Sequence, residues 1–64
     1  MTQAPSLTRR EKDVLRLAAE GYRQAEIADE LGVAPSTVDT HVTNALTKLG
    51  ARSTAQAVAI MLTR

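Results

Sequence analysis

The stretch from Gln24 to Leu49, QAEIADELGVAPSTVDTHVTNALTKL, constrains the fold more than any other part of the chain. It reads as two amphipathic helices joined by the turn Gly32-Val33-Ala34. In the first, Ile27, Ala28 and Leu31 share one helical face while Glu26, Asp29 and Glu30 take the other, as expected of a half-buried helix. Gly32 is suited to stop it, because glycine enters the left-handed conformation of a helix terminus without a Cβ clash. Pro35 suits the first position of the helix that follows. Helix, glycine turn and helix within this length make the helix-turn-helix arrangement.

Stepping about 100° per residue sorts the second helix into two faces. Val38, Val42, Ala45 and Leu49 fall together, flanked by Leu46 and His41, and form the expected inner face. Ser36, Thr40, Thr43 and Thr47 lie opposite, flanked by Asp39 and Asn44. Such residues cost a few tenths of a kcal/mol each relative to Ala in a helix, so a row of them calls for a reason beyond helix stability. The second helix of a helix-turn-helix enters the DNA major groove, where Ser and Thr hydroxyls meet base edges, Asn pairs with adenine and Thr methyls pack on thymine methyls. We therefore expect Ser36, Thr37, Asp39, Thr40, Thr43 and Asn44 to read bases. An ordinary solvated face is the competing reading of the threonine row. For Asp39 the competing reading is an early-turn carboxylate that complements the positive end of the helix. Arg10, Arg23, Gln24, Thr47, Lys48 and Arg52 border the long helix or the ends of its neighbours and are the expected phosphate contacts, with simple solubilising charge as the alternative for the cations.

The remaining segments predict two more helices, for an all-α, four-helix domain with helices over about 8–20, 23–31, 35–49 and 53–63. Thr8-Arg9-Arg10-Glu11 is a capping box; Val14, Leu15, Leu17 and Ala18 supply a buried face, Leu7 an anchor before it, and Gly21 a stop. Gly50 ends the long helix and Ser53-Thr54-Ala55-Gln56 repeats the capping-box pattern. The last helix, Ala55 and Ala57 to Leu62, is apolar nearly all round. One buried face needs less than that, so Val58, Met61 and Leu62 are expected to meet a second subunit; complete use by the core is the alternative. Residues 1–6 read as a flexible lead and 7–64 as the domain.

A chain of 64 residues makes one domain at most. The absence of cysteine excludes disulfide and thiolate-zinc frameworks and fits a reducing cytoplasm. No apolar run reaches the ~18 residues of a membrane span, so no membrane partner is expected. The lone His41 has no partners at metal-ligand spacing and no nucleophile–base pair is present, so neither a metal, a cofactor nor an enzymatic activity is expected. A net charge of +1 is low for a nucleic-acid binder, and with a pI near 8.3 it is the main argument against DNA.

Leu7-Thr8-Arg9-Arg10-Glu11, Val14-Leu15, Gly21, Glu26-Ile27-Ala28, Leu31-Gly32-Val33, Thr37-Val38, His41, Leu46, Lys48-Leu49-Gly50 and Ala57-Val58 together resemble the LuxR/GerE (NarL-type) DNA-binding domain of bacterial transcription factors. The resemblance implies four helices, the second and third forming the helix-turn-helix, the third in the major groove and the fourth commonly mediating dimerisation. The chain departs from the family pattern at Arg23-Gln24-Ala25, where Ser-Asn-Lys is usual, and at Ala34, where a Ser cap is usual. It departs again at Asp39, a position typical of a groove-contacting Lys, and at Ser53-Thr54 in place of Asn-Arg. Weak DNA affinity of a single isolated domain is the expected result.

The leading expectation is a cytoplasmic transcriptional regulator that binds double-stranded DNA as a homodimer through the C-terminal helix. The alternative keeps the scaffold as a protein-interaction module for RNA polymerase or a separate regulator, with weak or no DNA binding. Control is expected from expression level, a separate partner or a further portion of a longer protein.

Overall fold

The computed structural model describes residues 6–63, so the expected lead lies, apart from Ser6, outside the described residues. Four helices follow in order: α1 (Arg9–Ala19), α2 (Gln24–Leu31), α3 (Pro35–Leu49) and α4 (Thr54–Leu62). Each agrees with its sequence-based range to within a residue once the caps are counted.

The helix starts use different chemistry. At α1 the capping box is complete: Glu11 N–H donates to Thr8 Oγ1 at 3.1 Å, and Thr8 N–H donates to Glu11 Oε1 at 2.8 Å. At α2 the cap is Arg23, whose guanidinium cannot accept, so only the return half forms, from Arg23 N–H to Glu26 Oε1 at 2.8 Å. α3 begins after Ala34 with no side-chain cap, and Pro35 at its start removes one orphan donor. Gln24 Nε2 donates to the Pro35 carbonyl at 3.1 Å and ties the start of α2 to the start of α3. At α4 the expected capping box is only half present. Gln56 N–H donates to Ser53 Oγ at 3.1 Å, but Gln56 Oε1 accepts from Arg52 N–H at 2.6 Å, one residue before the cap.

The stops of α2 and α3 are alike. Gly32 and Gly50 sit at φ 69° and 67°, and the following residues close the turn, Val33 N–H to the Ala28 carbonyl at 3.0 Å and Ala51 N–H to the Leu46 carbonyl at 2.9 Å. Gly32 thereby sets the direction in which α3 leaves α2.

α1 and α3 form the central pair; α2 packs on both at one side and α4 on both at the other, with no α2–α4 contact among the described residues. Two apolar clusters result. Val14, Ile27, Ala28 and Val38 form the first, with Leu17, Ala18, Leu31, Val33 and Val42 packed on it. Leu15, Ala45 and Ala57 form the second, with Leu7, Leu46, Leu49, Ala51, Val58 and Met61 around them. The adjacent pair Val14 and Leu15 points into different clusters, as a step of about 100° allows.

A polar contact closes the second side. Lys48 Nζ lies 2.8 Å from Glu11 Oε1 and also donates to the Ser6 carbonyl at 3.4 Å. Glu11 is 3% exposed and the Lys48 side chain 26% exposed, so the pair is largely withdrawn from water. Burial pushes the Glu11 carboxyl up, but the Lys48 ammonium and the Thr8 N–H outweigh it and hold the group below the ordinary carboxylate range. A carboxylate so depressed adds stability above its unfolded pKa of about 4.3, and that stability is lost as pH falls through the folded value.

Lys48→Met keeps the stem but leaves Glu11 buried without its cation. It should cost on the order of 2–3 kcal/mol at pH 7 in urea denaturation. The penalty should shrink as the pH is lowered through the carboxylate range, because a protonated Glu11 no longer needs the ammonium. A penalty constant from neutral pH to below the range would show that Lys48 acts through packing alone. At Gly32 an added Cβ meets nothing within 4 Å, so Gly32→Ala is opposed by conformation only. It should cost about 1–2 kcal/mol and lower Tm by roughly 4–16 °C in a domain of this size. An unchanged Tm would refute the left-handed stop.

Candidate nucleic-acid interface

α3 has 15 residues, about 22 Å at 1.5 Å rise per residue. Its inner face is consumed on both sides of the molecule. Val38 and Ala45 are fully buried, one in each cluster, and Val42, Leu46 and Leu49 are half-buried around them. His41 is half-buried on the flank. The outer face is therefore fixed by exclusion: Ser36, Asp39, Thr40, Thr43, Asn44 and Thr47 are exposed and Thr37 is half-buried beside them. Ser36 to Thr47 spans about 16 Å, the length of roughly five base-pair steps at 3.4 Å each.

The hydroxyls on this face are not equivalent. Thr40 Oγ1 donates to the Ser36 carbonyl at 3.1 Å and Thr47 Oγ1 to the Thr43 carbonyl at 3.0 Å, the back-bonding that helical threonines adopt. Their protons are committed to the backbone, and their outward lone pairs can only accept. Ser36, Thr43, Asn44 and Asp39 make no intrachain side-chain bond among the described residues, which leaves them available to a ligand.

Asp39 falls beyond the first turn of α3, which holds no acidic residue. Helix-dipole stabilisation decays within that turn, so the early-turn reading of this carboxylate loses its basis.

The cations expected at phosphates are placed differently from one another. Lys48 is drawn into the Glu11 pair. Arg10 lies 3.5 Å from Asp13 with its side chain 48% exposed, a weak surface contact that a phosphate can displace. Asp13 is shared with Arg16 at 3.0 Å. Arg23 and Arg52 are exposed, their backbone N–H groups held by Glu26 and Gln56. Arg23 and Gln24 lie at the end of α2 that Gln24 joins to the start of α3, whereas Arg52 follows the far end of α3. Exposed polar groups thus flank both ends of the outward face. The Glu11–Lys48 contact escaped sequence reasoning because its partners are 37 positions apart and each had a sufficient local role, one in a capping box and one as a surface cation.

No helix among the described residues is long and apolar enough to cross a membrane.

Comparison with known proteins agrees with the four-helix fold. The family model for bacterial regulatory proteins of the luxR family matches residues 5–61. The spore germination protein GerE of Bacillus subtilis is 41% identical over 58 residues, 91% of this chain and 78% of that protein. The transcriptional regulatory protein LiaR of the same organism is 48% identical over 52 residues, 81% of this chain and 25% of LiaR. Mycobacterial relatives 49% identical over 53 residues are far longer, and the chain spans only 6% of their length. The solved structure of the transcription factor GerE superposes with a TM-score of 0.85 at 32% identity, covering 92% of this chain and 90% of that one. With its helix-turn-helix, its outward polar helix and a family match over nearly all of its length, this chain belongs to the luxR family of bacterial regulatory proteins.

Proposed function

We propose that this domain is the sequence-specific DNA-binding element of a bacterial transcriptional regulator acting in the cytoplasm, with α3 in the major groove. The observation that carries the reading is the outer face of α3, a row of short polar side chains exposed along a helix whose other face is locked into two clusters. Ser36, Thr37, Asp39, Thr40, Thr43 and Asn44 read base edges. Arg10, Arg23 and Arg52 hold phosphates, with Gln24 and Thr47 as neutral contacts beside them. Lys48, also an expected phosphate contact, pairs with Glu11 at 2.8 Å and in this reading supports the position of α3.

The domain acts as a homodimer through α4. Of the three residues expected to meet a partner, Val58 and Met61 pack on the second cluster, and Leu62 is 73% exposed. The outward apolar strip is Ala55, Ala59 and Leu62, edged by the half-buried Val58, at spacings of three and four. Two small residues in that strip let a second helix approach closely. The reading of the domain as a docking module for RNA polymerase or a separate regulator draws on the exposed Glu26, Asp29 and Glu30 of α2 and on the carboxylate in the α3 face.

Three arginines from each of two subunits make about six phosphate contacts, for which DNA affinity should fall ~10³-fold between 50 and 200 mM salt. Arg52→Gln should weaken binding to all sequences alike and flatten the log–log salt slope by about 2 per dimer. A flat salt response would favour the protein-docking reading. Leu62→Glu should leave the thermal transition within about 0.5 kcal/mol of wild type, as an exposed site allows, yet shift sedimentation to monomer. Met61→Glu should unfold the domain instead. Unchanged sedimentation of Leu62→Glu at every concentration would remove α4 as the dimer surface.

A further inference from the structure

The outer face of α3 holds three side chains that offer a ligand acceptors only, beside Ser36, Thr37, Thr43 and Asn44, which can donate as well, and it directs no cation outward. Asp39 can only accept, Thr40 and Thr47 have given their protons to backbone carbonyls, and Lys48, the helix's sole cation, is turned back to Glu11. Guanine offers two acceptors, N7 and O6, in the major groove, and is read by a cationic donor fork that this helix does not direct outward. The base groups that donate there are adenine N6 and cytosine N4.

We infer that Asp39 is the specificity-determining residue of this domain, selecting cytosine through its N4 amino group and rejecting guanine at one position of each half-site. The inference rests on the DNA-binding reading above. Asp39 is exposed, lies on the edge of the outward face, makes no intrachain bond among the described residues and stands outside the first turn, so neither capping nor an ion pair accounts for it. Cytosine is favoured over adenine by its neighbours in the groove. Adenine N6 lies between its own N7 and the partner thymine O4, both acceptors that repel a carboxylate. Cytosine N4 has an acceptor on one side only, the O6 of its partner guanine, and a C5–H on the other.

Selection from a random double-stranded oligonucleotide pool, run in parallel with the wild-type chain, Asp39→Asn and Asp39→Arg, tests the inference. Wild type should enrich a motif with cytosine at one half-site position, and exchanging that base for guanine should weaken its binding roughly 5- to 150-fold, the equivalent of 1–3 kcal/mol per base contact. Asp39→Asn should move the preference at that position to adenine and Asp39→Arg to guanine, with the rest of the motif retained. Identical motifs from all three proteins would overturn the inference while leaving DNA binding intact. So would guanine in the wild-type motif at the position that the variants change, or a gain in affinity for every sequence alike in both variants. Enrichment of no motif by any of the three folded proteins would overturn the DNA-binding reading and this inference together.

Discussion

The structure depends on α3 having one inner face that serves two cores. Val38 and Val42 close the cluster shared with α1 and α2, and Ala45, Leu46 and Leu49 close the one shared with α1 and α4. Full burial of a side chain such as Val38 is worth about 1.5–3 kcal/mol, and a domain of this size has few such contributions to draw on. Neither cluster can be lost without releasing half of α3. The rotation of the helix about its own axis is thereby set, and with it the direction of the polar row.

The Glu11–Lys48 pair adds an electrostatic fix at the far end of the same helix. Glu11 carries both the first turn of α1, through Thr8, and the last turn of α3, through Lys48. The cost of burying a carboxylate is offset because every strong contact it makes is to a donor. The consequence for function is a trade: the one cation of α3 stabilises the fold and is not presented to a ligand. With a net charge of +1, the proposed attraction to a polyanion would have to come from cations outside that helix. Specificity in such an interface comes from base edges more than from the backbone term.

The departures that the resemblance implies fall at helix starts and on the outward face of α3. Ala34 leaves α3 without a side-chain cap, and Pro35 with the Gln24 contact compensates locally. Arg23 supplies an exposed guanidinium at the start of α2 where a neutral cap is usual. These exchanges leave intact the backbone arrangement that superposes on GerE. For the longer relatives the matched unit is a small part of the whole.

The sequence by itself determined the four helices, their ends, the inner and outer faces of α3 and most of the core residues, though not the packing of Val33 and Ala51 or the division of the core into two clusters. Each of these depends on side chains within a turn or two of one another: the 3.6-residue period, a Thr or Ser three residues before a Glu or Gln, a glycine after the last apolar position. Only the tertiary structure decided which partner a long polar side chain takes. It sent Lys48 to Glu11 and Gln24 to the Pro35 carbonyl, and it divided α4 into an inner face with Val58 and Met61 and an outer one with Leu62. The reason is physical. Periodicity and capping are local, whereas the partner of a flexible charged or amide group depends on which helices lie side by side, and that is fixed by packing between segments distant in the chain.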